Sequence, residues 1–458
     1  MTRFCPHYPP PVRSRLGLLT LFLRKRHSML NGLFARSYTM KMGEVRIPGA
    51  HAYMVNEPPL VRRVMVSEWA QFPKHEMLAQ ALRPLLGDSI FTTNGPAWAR
   101  QRALMDPAFE AARVKRVFGR MWEAAEAMRA RLAALPPGQP LDAEVEMTHV
   151  AADTILRTII SQPLDSAGAR QVFEAFTRYQ AIAPRILMPA FFGLRWLRPW
   201  WQVRKSRQPA AEIRNLIATL IRPRFEAAQA GQPDAHDDIL SALLAQQAFG
   251  FDELVDQVAM LFLAGHETSA SALAWSLHLL ANAPDVQARL AAEADTWLDA
   301  VATDPGAMTQ LKLSRNVFRE ALRLFPPVGF FVRTASQTCT MRDKTVKAGA
   351  SVVVAPWLIH RHRQLWARPD EFDPDRFTRD EPDDAVSAKD SVRQAYLPFG
   401  LGPRICIGAA FALQEATLVL AVVARHFQVR PVPGRVPTPV GRLTIRSGDG
   451  IWLYVAPR

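Results

Sequence analysis

Cys406 stands in the run Phe399-Gly400-Leu401-Gly402-Pro403-Arg404-Ile405-Cys406-Ile407-Gly408, one thiol set between glycines and an arginine. Glycines ahead of a cysteine permit a tight turn with positive φ and close approach of the backbone to a flat ligand. The apolar run from Ala409 to Phe427 predicts a helix, so Cys406 falls near a helix N-terminus, where unpaired N–H groups and the dipole favour a thiolate. A thiolate held like this suits the axial position of a haem iron. Cys5 and Cys339 read as incidental free thiols. With no Cys-x-x-Cys pair, the three cysteines make neither a disulfide framework nor a zinc site, which points to a reducing compartment.

A second constellation, Ala264-Gly265-His266-Glu267-Thr268-Ser269, interrupts the apolar run Val258 to Ala264 within a helix predicted from about Asp252 to Asn282. Its length suits a membrane span, but charged and hydroxyl residues are expensive at mid-membrane. A long helix crossing a soluble core fits better. A glycine there leaves room for dioxygen and water, and a hydroxyl beside an acid loosens the backbone ladder and relays protons. His266 reads as a structural histidine rather than an iron ligand, because Cys406 already supplies the ligand.

Smaller pieces accompany these. Trp98 and Arg102 lie four apart on a helix begun by Pro96, an indole N–H and a guanidinium suited to a carboxylate. Glu320 and Arg323 share one face of a helix from about Ser314 to Leu324, ahead of Pro369-Asp370-Glu371-Phe372-Asp373-Pro374-Asp375-Arg376-Phe377. Between them lies the strand-like Val328-Gly329-Phe330-Phe331-Val332-Arg333.

In this order, the segments resemble the cytochrome P-450 family, haem-thiolate monooxygenases, of the soluble bacterial type. The cysteine run fills every fixed position of F-x-x-G-x-R-x-C-x-G, and Trp-x-x-x-Arg, Glu-x-x-Arg and P-x-x-F-x-P-x-R-F are all present. The resemblance implies a mainly α (α+β) fold, a large helical lobe and a smaller β-rich lobe around one buried haem b. It implies Cys406 as the metal ligand, with Trp98, Arg102, Arg333, Phe399, Arg404 and Gly408 as cofactor-binding residues. Thr268 and Glu267 become catalytic, Glu320, Arg323 and Arg376 a structural network beneath the cysteine turn, and Ala264, Val328, Phe330 and Phe331 walls of a substrate pocket that Leu443, Thr444 and Ile445 also reach. His360-Arg361-His362-Arg363 departs from the family, which has an acid and a proline here, and adds positive charge.

The remaining chain sets the context. Its 458 residues are 49% hydrophobic and 21% charged, which excludes disorder. Lys+Arg exceed Asp+Glu by 56 − 42 = 14, but the basic residues are dispersed and no nucleic-acid motif appears. Residues 1–40 read as an N-terminal arm whose Leu16–Leu23 is too short to span a bilayer and touches at most a membrane surface. The aromatic and basic stretch 186–201 invites the same peripheral contact. Residues 41–458 read as a single catalytic domain: a β-hairpin over Lys41 to Val55, a helix from Pro58 to Met65, a loop-rich region from Phe72 to Asn94, and helices over Ala111–Leu135, Ala143–Ile160 and Pro284–Leu298. The expected function is hydroxylation of a hydrophobic small molecule with O2 in a cytoplasmic monomer. With 458 − 406 = 52 residues after the cysteine, electrons must come from outside, from ferredoxin and ferredoxin reductase or equivalents. The alternatives are a peroxide-using or isomerising haem-thiolate enzyme, or a haem-binding sensor.

Overall fold

Apolar residues at helical spacing, punctuated by proline and glycine, build ten helices of eleven residues or more among the described residues. The computed structural model describes residues 3–12, 28–47, 50–191, 200–378 and 388–458. In chain order the helices are α1 (Glu76–Leu86), α2 (Gly95–Met105), α3 (Phe118–Ala133), α4 (Ala143–Ile160), α5 (Ala167–Phe191), α6 (Trp200–Gln229), α7 (Phe251–Ala281), α8 (Pro284–Thr303), α9 (Lys312–Leu324) and α10 (Ala409–His426). The 31-residue α7 is buried nearly all round, as a helix apolar on every face must be, and packs against α4, α6, α9, α1 and α10. By length and composition α10 alone, among the described residues, could cross a membrane; here most of it is buried against α3, α8 and α9.

The strands gather into a smaller lobe. Its main sheet has β1 (Met42–Ile47), β2 (Ala50–Val55), β3 (Phe331–Thr334) and β4 (Ser351–Val354) in the order β1-β2-β4-β3. The β2/β4 pair is parallel and the other two are antiparallel. A hairpin of β5 (Pro439–Gly441) and β6 (Ile445–Ser447) reaches back to the helical lobe. The expected hairpin and central helix therefore stand, while four expectations change. The region 74–94 contains α1, whose signal Pro84 obscures; buried Leu82, Leu85 and Leu86 hold it, and the His75 ring nitrogen caps the Met77 N–H at 3.3 Å. The run from Ala111 breaks at Val117, and the helix from Pro58 gives way to a wider turn over Arg63–Ser67. Arg361 and His362 are buried rather than adding surface charge, with the Arg361 guanidinium 3.8 Å over the Trp357 ring.

Nor is the described part of the first forty residues a detached arm. Arg3 pairs with Asp373 at 2.8 Å, the Phe4 carbonyl accepts from Phe372 N at 2.9 Å, and Tyr8 packs edge-on to Trp357. Ser28 Oγ accepts from Gly441 N at 3.0 Å, which sets the turn Met29–Gly32 against β5. Leu16–Leu23 and the side chains of 186–201 lie outside the described residues.

Between the lobes sits the expected network. Glu320 and Arg323 form a fully buried bidentate pair, both bonds 2.8 Å, with Arg376 Nε at 3.4 Å and Asp373 N at 3.0 Å completing the carboxylate's shell. Arg323 also donates to the carbonyls of His360, Pro369 and Glu371. His360 passes the constraint on: one ring nitrogen lies 3.2 Å from the Arg323 carbonyl, and the other accepts from Leu397 N at 3.0 Å, two residues before Phe399. Replacing Glu320 by Ala strands two buried guanidiniums and should cost about 3–5 kcal/mol. Chemical unfolding would read this as a lower midpoint, and a midpoint unchanged from the parent chain would refute the network's role.

Candidate active site

Cys406 lies three residues before α10 in a turn closed by its own N–H, which donates to the Phe399 carbonyl at 2.9 Å. Gly400 and Gly402 adopt φ of 76° and 71°, and a methyl on Gly402 would run into the Met65 carbonyl. This backbone demands glycine. Cys406 lines a cavity of about 350 Å³ that is otherwise mostly apolar. Enclosure by protein pushes its thiol up, against the pull of the Gly408 N–H, Arg102 and Lys74. A metal cation bound at the sulfur would favour the thiolate further.

Around the same cavity stand Lys74, Arg102, Arg333 and Arg404. Arg102 donates to the Ile405 carbonyl at 2.7 Å and pairs with Asp106 at 2.6 Å, so it also braces the cysteine turn. Arg404 stacks 4.2 Å over Trp98 and donates to Thr93 O and Asn94 Oδ1; burial and the neighbouring Arg333 and Arg102 push it down to about 9. Arg333 is buried, its Nε has no hydrogen-bond partner, and burial pushes it down to about 10. Lys74 donates to the Phe91 carbonyl at 3.1 Å, and burial plus three neighbouring guanidiniums hold it well below the ordinary lysine range. Among the described residues no carboxylate pairs with Lys74, Arg333 or Arg404. A flat iron macrocycle bearing carboxylates fits this set: one thiol for the metal, and cations awaiting acids at the rim. Lys74 is the member that sequence reasoning missed, because one lysine in an apparent loop carries no pattern.

Opposite, α7 presents Ala264 and Thr268 to the cavity. Thr268 Oγ1 donates to the Ala264 carbonyl at 2.7 Å, the side-chain bond that loosens a helical ladder. Glu267 is buried and accepts from Thr444 Oγ1 at 2.7 Å and Gln180 Nε2 at 3.3 Å. His266 stays structural, as expected: Nδ1 donates to the Phe262 carbonyl at 2.6 Å, Nε2 accepts from Gln180 at 3.0 Å, and burial pushes it down to about 4. Gly265 lines the cavity too, and the space a methyl would take there is filled by Ile155 of α4, so this glycine also serves close helix packing.

Val328, Phe330 and Phe331 line the cavity as expected, and so do Phe399, Gly408, Trp98, Leu443 and Thr444. Ile445 does not. It is buried behind Gly329, and its carbonyl accepts from Ser271 and Trp275. Further walls come from Leu78, Leu82 and Leu86 of α1 and from Met29. Those were illegible because the helix carrying three of them was itself not expected.

The cytochrome P450 family model matches residues 7–447. Cyclooctatin synthase of Streptomyces melanosporofaciens is 32% identical over 418 residues, spanning 88% of this chain and 86% of that protein. Cyclooctat-9-en-7-ol 5-monooxygenase of the same organism is 31% identical, covering 85% and 83%. Pentalenene oxygenase of Streptomyces avermitilis is 31% identical, covering 91% and 90%. Among solved structures, the haem domain of cytochrome P450DA superposes with a TM-score of 0.77 over 99% of this chain and 98% of that one, at 24% identity.

The Gly265 packing can be checked by a double-mutant cycle. Gly265→Ala should destabilise by about 1–3 kcal/mol through overpacking, and adding Ile155→Val should return most of that loss. Thermal unfolding of the four proteins measures both steps; an undiminished loss in the double mutant would detach Gly265 from Ile155.

Proposed function

The chain belongs to the cytochrome P450 family, and from that premise we propose that it hydroxylates an apolar alkene or alkenol of the terpenoid class, using electrons from a separate ferredoxin and ferredoxin reductase. It is a monooxygenase and its cofactor is haem. When bound, haem supplies the activation of O2 and the insertion of one oxygen atom into an unactivated carbon. The observation that carries the reading is the cavity itself, with Cys406 and acid-free cations on one side and the loosened Ala264–Thr268 turn on the other.

Each residue then has a task. Cys406 would hold the haem iron through its sulfur, with the Gly408 N–H favouring its anionic form. Arg333, Arg404, Arg102 and Lys74 would bind the haem carboxylates, Trp98 carrying the Arg404 guanidinium, while the Phe399 carbonyl closes the cysteine turn. Thr268 presents its hydroxyl to the cavity, and Glu267, held by Thr444 and Gln180, is the acid that resupplies protons at that hydroxyl. Ala264, Val328, Phe330 and Phe331, joined by Leu78 and Leu82, desolvate the substrate and orient it by shape alone. Such a wall suits a molecule with few polar atoms. The formal net charge of +14 supports steering of an acidic ferredoxin. Three unpaired cysteines support a cytoplasmic setting.

Reduced protein treated with carbon monoxide should show a red-shifted Soret band, which Cys406→Ser abolishes. Thr268→Ala should keep the shifted band but lower product formed per NADPH by about 10²-fold, the lower end of the range for a proton-transfer group. Cyclic terpene hydrocarbons should move the haem to high spin where fatty acids of similar size do not; the reverse preference would overturn the substrate class.

A further inference from the structure

Two turns into α10 lies a carboxyl that the chemistry above does not use. Glu415 is 1% exposed, and its Oε2 accepts from Ser269 Oγ at 2.8 Å. Its Oε1 has no hydrogen-bond partner, and neither does Oγ1 of Thr154 on α4, a hydroxyl that acts on the same carboxyl. Burial pushes Glu415 up from the ordinary 4.5 to about 8, against the pull of Ser269 and Thr154. No charged group on a neighbouring element contributes. On α4, Asp153 is occupied by Arg157 and Leu164 N, both within 2.9 Å, and on α7, Glu267 is occupied by Thr444 and Gln180. A protonated acid at this junction has an O–H to give Thr154, which would satisfy both orphaned atoms at once.

The junction is placed where it matters. The helix bearing Glu415 starts at the cysteine turn, and Ser269 follows Thr268 on the stretch of α7 that faces the cavity. We propose that Glu415 is a positioning residue of the monooxygenase site, tying the helix that follows Cys406 to the stretch of α7 that holds Glu267 and Thr268 through Ser269, and to α4 through Thr154. This rests on the monooxygenase reading. Glu415 touches no reacting atom; it sets where Thr268 stands relative to the metal ligand.

The test uses the haem-loaded full chain with Glu415→Gln and Glu415→Ala. Glutamine can accept from Ser269 and donate to Thr154 as a protonated acid would, and should retain parental product per NADPH, whereas alanine should lower it by about tenfold while the carbon monoxide band stays shifted, as a small misplacement would. A second readout is independent of turnover. An acid whose folded-state value is raised to about 8 gives stability that is full below its unfolded value and is lost as pH rises through 8. The parent's thermal midpoint should therefore fall between about pH 6 and pH 9 by a component that Glu415→Gln lacks. Alanine with parental coupling, or parent and Glu415→Gln with the same pH slope, would overturn the proposal, and the slope decides even if the alanine protein fails to fold. Loss of the shifted band in the parent would instead strike the monooxygenase reading.

Discussion

A carboxylate cut off from water persists only when every lone pair is met, and Glu320 is where this molecule meets that demand. Two bonds from Arg323, one from Arg376 and one from the Asp373 N–H fill its shell. None of these groups can be moved independently. Arg323 in turn gathers three backbone carbonyls from 360 to 371, and His360 links this cluster to the backbone at Leu397. The cysteine turn follows directly. Its position is inherited from an ion pair that contacts neither the cavity nor the sulfur.

The cavity rim obeys the opposite rule. Lys74, Arg333 and Arg404 are drawn together without a matching acid, and each is pushed towards its neutral form. Protein groups alone leave this arrangement costly, and carboxylates on a bound cofactor would make it favourable. Binding and folding are thus coupled at the rim: the network around Glu320 is self-sufficient, whereas the cation cluster is completed by the cofactor.

What could be read beforehand follows the same division. Motifs whose residues are adjacent in the chain, such as Gly402 to Gly408 or Glu267-Thr268, carried their meaning in spacing, because local backbone geometry dictates it. The long helix α7 was equally legible, since polar residues inside an apolar run exclude a membrane and imply a core. Groups that matter through distant contacts were silent. Lys74, Gln180 and Glu415 show nothing in their own neighbourhoods, and the packing constraint on Gly265 comes from Ile155, 110 positions away in the sequence (265 − 155). Pro84 concealed α1 because local propensity was overruled by the burial of Leu82, Leu85 and Leu86.

The strap formed by Arg3, Phe4 and Tyr8 has a consequence in time. Its partners Trp357, Phe372 and Asp373 leave the ribosome roughly 370 residues later, an interval of about 20–70 s at ordinary rates of synthesis. Throughout that interval the first residues made have nowhere to dock. The parallel pairing of β2 with β4 imposes a similar wait. The last-formed parts of this protein therefore include the strap of Arg3, Phe4 and Tyr8, and a nascent chain halted before residue 373 would carry it undocked.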